Sequence, residues 1–116
     1  MNFTTQDRRR HNRTDVPVCA WVSFHKDNGS YSTLTMDLAQ EGARFNALRR
    51  VDVGEHVLVF LQLSSVGIEC KGKVCWSGIA DNGLGCFGVR FLDLRESERD
   101  RLARWVDQQT RLAVAL

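Results

Sequence analysis

The chain has 116 residues, 43% hydrophobic and 26% charged, with a formal net charge of +2 at pH 7. That length fits one domain with a modest single core, and the composition is ordinary for a soluble globular chain. So small a net charge excludes wholesale coating of nucleic acid, and no apolar run is long enough to cross a bilayer.

The first feature in chain order is DRRRHNR, which places Arg8, Arg9, Arg10 and Arg13 just ahead of the first strand-like run. An arginine cluster in a loop is either a solvated tail or a grip on something anionic. Residues 1–14 are expected to form a flexible basic arm. MNFTTQDRRR lacks the apolar stretch of a secretory signal, so a cytoplasmic protein is expected.

From residue 15 to about 92, Gly and Asn/Asp punctuate short runs rich in Val, Phe, Leu, Thr and Trp: KDNGS, QEG, VDVGE, SSVG, ADNGLG. That rhythm predicts short antiparallel strands. VPVCAWVSFH alternates Val16, Val18, Ala20, Val22 and Phe24 on one face, with Cys19, Trp21, Ser23 and His25 on the other. In SYSTLTMDLA, Leu34, Met36 and Leu38 are in phase. HVLVFLQL is almost continuously apolar and reads as a central, well-covered strand. In IECKGKVCWSG, Trp76 is in phase with Ile68, Cys70 and Val74 and reads as core, with the rim of a ligand site as the alternative. FGVRFL turns Phe87, Val89 and Phe91 inward and leaves Arg90 solvated, or within reach of a phosphate. Trp21 lies on a face that is either a second buried layer or a partner surface.

The period then changes. In ESERDRLARWVDQQTRL, Leu102, Trp105, Val106 and Leu112 recur at helical spacing, which predicts an amphipathic helix over residues 95–112. Strands followed by one terminal helix predict a mainly β fold: an antiparallel barrel of six strands or so, capped or flanked by a C-terminal helix.

Cys19, Cys70, Cys75 and Cys86 contain no CxxC pair, and the odd separation of Cys70 and Cys75 points them to opposite faces of one strand. No metal site is expected, and lone cysteines in a reducing compartment behave mostly as small hydrophobes. His11, His25 and His56 are scattered without a nucleophile–base arrangement or a glycine loop for phosphate. A non-catalytic protein without a cofactor is expected.

Two motifs stand in order around the first strands: Arg9-x-x-x-Arg13, preceded by Arg8, and Asp37-x-Ala39-x-x-Gly42. The pair resembles the signature of PilZ domains, an RxxxR loop followed by [Asp/Asn]-x-Ser-x-x-Gly. GKVCWSG and GVRFLDL are similar to later strands of that family, so the resemblance runs from Arg8 to about Val106. It implies a small β-barrel that binds cyclic di-GMP as ligand. Arg9 and Arg13 would be the main ligand arginines, and Arg8 goes with an intercalated dimer of the ligand. It also implies that Asp37 reads a guanine edge and Gly42 lets the backbone approach the ligand, while Arg10 and His11 are spacers.

The chemistry agrees with the residue types. Arginine's fork meets phosphate or the guanine O6/N7 pair bidentately and stacks on purines, whereas lysine supplies only charge. A carboxylate accepts from guanine N1–H and the exocyclic amine. Gly42 is expected to turn at positive φ. Ala39 replaces the motif serine and removes one hydrogen bond, worth about 0.5–1.5 kcal/mol, or roughly threefold to tenfold in affinity.

The leading expectation is a single-domain receptor whose arm orders over cyclic di-GMP and relays the signal to an unidentified partner protein. One alternative is a ligand-independent adaptor of the same fold. The other is a nucleic-acid-binding barrel, which the low net charge and the missing aromatic ladder disfavour.

Overall fold

The computed structural model describes residues 12–64 and 66–115. Its strands are β1 (Arg13–Thr14), β2 (Cys19–Phe24), β3 (Ser30–Ala39), β4 (Gly42–Asn46), β5 (His56–Leu63), β6 (Val66–Ile79) and β7 (Gly85–Phe91), followed by the helix α1 (Glu96–Ala115). The sheet order is β1-β3-β2-β5-β6-β7-β4, and β4 also pairs with β3, so β2 to β7 close into a six-stranded antiparallel barrel. The barrel with one C-terminal helix is therefore the fold the sequence predicts.

β1 extends the line of β2 along β3, with Arg13 opposite Ala39 and Cys19 opposite Leu34. Pro17 lies between β1 and β2 and has no N–H to give the ladder. Thr35 bridges the interruption: its hydroxyl accepts from the Val18 N–H at 3.0 Å, and its own N–H donates to the Val18 carbonyl at 2.9 Å. Arg13 and Thr14 thus belong to a strand, although the expected arm extends to residue 14; residues 1–11 of that arm lie outside the described residues.

Two long strands turn the corners of the barrel. β3 pairs with β2 through Ser30–Leu34 and with β4 from Thr35 onward. β6 pairs with β5 up to Lys73 and with β7 from Gly72 onward. Each strand carries a register shift where its new pairing is set, between Thr35 and Asp37 and between Val74 and Trp76. An extra residue at a bulge reverses the alternation beyond it. This corrects two expectations. Leu34 is 50% exposed while Thr35 is buried, and Trp76 is 42% exposed rather than in the core. β5 is also corrected: it lies between β2 and β6, but its faces alternate, leaving His56, Leu58 and Gln62 exposed.

The core is the barrel interior: Val18 and, at alternate strand positions, Ala20, Val22, Phe24, Phe45, Val59, Leu61, Ile68, Val74, Phe87 and Val89, all buried. α1 closes one end. Leu102 and Val106, one helical turn apart, are buried in this cluster, and Trp105 packs beside them and donates to Ser64 Oγ at 3.4 Å. Leu112 is exposed, so the buried stripe ends earlier than its spacing predicts. The helix start carries Glu96 and Glu98, favourable at a helix N-terminus, and Glu98 reaches back to accept from the Arg95 N–H. α1 packs on β1 and β3, and Asn12 Nδ2 donates to Asp107 Oδ1 at 2.8 Å. The helix therefore helps hold the segment that delivers Arg13.

At the other end of β5, Arg49 rivets the β4–β5 loop to the barrel. It pairs with Glu55 at 2.8 Å and Asp27 at 3.1 Å, and its guanidinium lies 4.0 Å from the centre of the Phe24 ring. The hydrogen bond from Arg49 holds the Glu55 carboxyl below its usual range, and Glu55 in turn raises the arginine. Nearby, burial pushes the Tyr31 hydroxyl up to about 12 while it donates to the Asn46 carbonyl.

Candidate functional site

Asp37 is built into place by its hairpin. β3 and β4 are joined through Gln40 and Glu41 with Ala39 opposite Gly42, so the register carries Leu38 to Ala43 and Asp37 to Arg44. Period-two alternation turns Leu38 and Ala43 into the core and leaves Asp37 and Arg44 on the outer face. Arg44 Nε donates to Asp37 Oδ2 at 2.8 Å, and Arg13 Nη1 stands 3.7 Å from the same oxygen. One carboxylate, with its side chain 14% exposed, is thus shared by two half-exposed guanidinium groups. The trio keeps a net positive charge and donors left over for an anion.

Ala39 joins the two motifs, since it is the cross-strand partner of both Arg13 and Gly42. It is buried. Gly42 needs a different explanation from the one its motif suggests. Its φ is not positive; instead, a Cβ there would lie 2.3 Å from the Val89 carbonyl oxygen, so the close approach is to β7. Arg90 is exposed and sits opposite both Gly42 and Lys73, which extends the basic face across β7 to β6.

Trp76 stands in the same outer line as Asp37. Consecutive cross-strand partners run Asp37, Arg44, Gly88, Trp76 across β3, β4, β7 and β6. The bulge at Cys75 is what turns the indole outward. Arg8 and Arg9, the remaining motif arginines, lie outside the described residues.

Arg44 is the residue that motif reading missed. Its signal was available: two residues beyond Gly42, on the face of Asp37 once the turn is fixed at Gln40 and Glu41. Among the described residues, no group of three His, Cys, Asp or Glu side chains could hold a metal ion. Burial pushes the Cys70 thiol up to about 12, which leaves it an unreactive packing residue. An open depression of about 420 Å³, lined by Ala47, Arg50, Val53, Ser77 and Ile79 among others, lies toward the β6–β7 turn and excludes Arg13, Asp37 and Ala39. No helix among the described residues is long and apolar enough to cross a membrane.

Solved structures that share this architecture include the following three. The Bacillus subtilis inhibitor of motility MotI/DgrA is 13% identical with a TM-score of 0.81, over 90% of this chain and 52% of that one. The PilZ domain of Escherichia coli YcgR with c-di-GMP is 15% identical with a TM-score of 0.69, over 91% of this chain and 94% of that domain. YcgR in complex with c-di-GMP is 17% identical with a TM-score of 0.79, over 93% and 48%. The chain therefore spans about half the length of MotI/DgrA and of YcgR, and nearly all of the isolated domain. No curated protein is similar enough in sequence to count as a relative. The model of the PilZ domain matches residues 7–108, and the chain belongs to the PilZ domain family.

Proposed function

We propose that this chain is a non-catalytic receptor for cyclic di-GMP, with Arg8, Arg9, Arg13 and Asp37 as its main ligand residues. The observation that supports this best is the meeting of Arg13 with Asp37 through the β1–β3 pairing. Two motifs far apart in sequence become one surface. Arginine forks suit the two phosphates and the guanine O6/N7 edges, and Asp37 suits guanine N1–H and its amine. Arg44 and Arg13 hold Asp37, so a ligand bound there would exchange one set of charge-assisted bonds for another. YcgR and its PilZ domain, both solved with c-di-GMP, share the fold.

The relay belongs to the same reading. Asn12 lies inside the RxxxR segment and is bonded to Asp107 of α1, so binding at Arg9 and Arg13 is coupled to the helix that caps the barrel. A partner protein reading that change would carry the signal onward, and the cytoplasmic placement expected from the sequence is part of this reading. Ala39 favours one competing reading, a PilZ adaptor that has lost its ligand.

Isothermal titration with cyclic di-GMP, with GTP and cyclic di-AMP as controls, tests the proposal. Saturable, selective binding is expected, and roughly two ligands per chain would support a role for Arg8 in an intercalated dimer. Absence of binding at high ligand concentration would overturn the receptor and leave the adaptor.

A further inference from the structure

The outward face of β3, β2, β5 and β6 carries apolar side chains that neither the core nor the arginine–aspartate site uses. Trp21 is 45% exposed, Leu34 50% and Leu58 40%, so this face is not a second buried layer. The pairings relate the three. Trp21 stands opposite Ser32 on β3 and Phe60 on β5, while Leu34 is opposite Cys19 and Leu58 opposite Ser23. Leu34 and Leu58 are therefore diagonal neighbours of Trp21 on its two sides, and the three form one oblique line across three strands. Diagonal neighbours lie about 7–8 Å apart, which makes the line roughly 15 Å long.

Phe60, half-buried beside this line, has a use in the fold. It covers Gly67, where a Cβ would lie 2.5 Å from the phenyl Cζ, and it meets the Trp21 ring edge-on with centroids 5.7 Å apart. Covering a glycine accounts for Phe60 and leaves Trp21, Leu34 and Leu58 without such a role. Large apolar side chains exposed together on adjacent strands mark an interaction surface.

The charges on this face gather at one end. Lys71 stands opposite Leu58, and Lys73 follows on the same side of β6, opposite His56. Both lysines are exposed, and neither pairs with a carboxylate among the described residues. Glu69, opposite Phe60, is the one carboxylate among the outward residues of β2, β5 and the stretches 30–34 and 67–73. A second copy of the chain would set two lysines against that single carboxylate. Two lysines are also too few to hold a protein on an anionic bilayer. The charge left over calls for an acidic occupant.

We propose that this face docks an amphipathic helix of a partner protein, its apolar stripe along Leu34, Trp21 and Leu58 and its carboxylates at Lys71 and Lys73. A helix laid on a sheet is ordinary two-layer packing, and about 15 Å is the length of roughly ten helical residues. Trp21 is the anchor, because a tryptophan buried at the centre of an interface carries much of its affinity. The lysines fix orientation and choice of partner. This rests on the partner relay of the reading above and does not depend on cyclic di-GMP as the ligand.

Two synthetic helical peptides with the same leucine stripe serve as probes, one ending in glutamates and the other in lysines. Calorimetry and the amide shifts of isotope-labelled protein follow each titration. The glutamate peptide is expected to bind and to move amides of β2 and β5 around Trp21 and Leu58. Trp21→Ala should weaken it at least about tenfold. The double change Lys71→Glu and Lys73→Glu should transfer the preference to the lysine peptide. All three side chains are exposed, so melting temperatures should hold in both variants. Equal binding of the two peptides, binding of neither, or unchanged affinity in Trp21→Ala would overturn the proposal. So would preferential binding to vesicles of phosphatidylcholine and phosphatidylglycerol, or a dimer that Trp21→Ala dissolves, since each names another occupant. Cyclic di-GMP is titrated into the same samples, and Trp21→Ala should bind it as wild type does. A chain that binds cyclic di-GMP and neither peptide keeps the receptor and loses this surface; one that binds only the glutamate peptide does the reverse.

Discussion

Two arginine–carboxylate clusters sit at different places on this barrel and differ in what surrounds them. Arg49 is held by Glu55, Asp27 and the Phe24 ring, and the side chain of its main partner Glu55 is only 6% exposed. Arg44 and Arg13 share Asp37 on an open face, with their own side chains 44% and 41% exposed. The first cluster has spent its donors on the fold. The second has guanidinium groups facing solvent with one carboxylate between them. Identical chemistry thus divides into a rivet and a candidate binding surface by burial and by the number of partners.

The largest effect expected separates the two by ligand. Asp37→Ala or Arg13→Ala should weaken cyclic di-GMP binding at least thirtyfold, a loss of about 2 kcal/mol in charge-assisted hydrogen bonds. The melting temperature should stay nearly unchanged, because both guanidinium groups that pair with Asp37 are half-exposed and such pairs add little to stability. Calorimetry and thermal melting on the same samples check both halves. A large loss of stability would move these residues to the structural side of the comparison.

Arg49→Ala is the mirror experiment. It strands Glu55 with its side chain buried and removes the contact with Phe24, so urea unfolding should show a loss of about 2 kcal/mol. Ligand affinity should be that of wild type. A change in affinity without a change in stability would break the division.

A smaller effect comes from acid. The Glu55 carboxyl is held below its ordinary value in the folded chain, chiefly by the hydrogen bond from Arg49. The unfolded chain therefore takes up this proton first as pH falls. The stabilisation is fully present above the unfolded carboxylate value of 4.5 and is lost as pH drops through the lower folded value. Urea midpoints measured from neutral pH downward should fall more steeply for wild type than for Arg49→Ala. Parallel curves would show that Arg49 does not set the titration of Glu55.

The smallest effect sharpens the ligand side. Ala39→Ser restores the motif hydroxyl at the position that pairs with both Arg13 and Gly42. Binding should tighten roughly threefold to tenfold, the worth of one hydrogen bond. A rise from no measurable binding to strong binding would instead mark Ala39 as the lesion of a lost site.

The family, the barrel and the terminal helix were legible in the chain, because alternation in VCAWVSF and GVRF and the helical spacing of Leu102 and Val106 are local patterns with local causes. The paired motifs were legible for the same reason. Arg44 was within reach, since a turn at Gln40 and Glu41 fixes its register against Asp37. Leu34 and Trp76 were misread because a bulge shifts phase by one residue, and nothing in the residues around Met36 or Cys75 announces it.

The sequence alone determined most of the strands, which faces are apolar along most of those, and which arginines and carboxylate resemble a family signature. Tertiary structure alone decided that Arg13 meets Asp37, that Gly42 is needed for β7 rather than for a turn, and that Trp76 faces water. Those outcomes depend on which strand lies beside which and in what register. That is settled by closing the barrel around its core, a condition the whole chain satisfies at once and no short stretch of it contains.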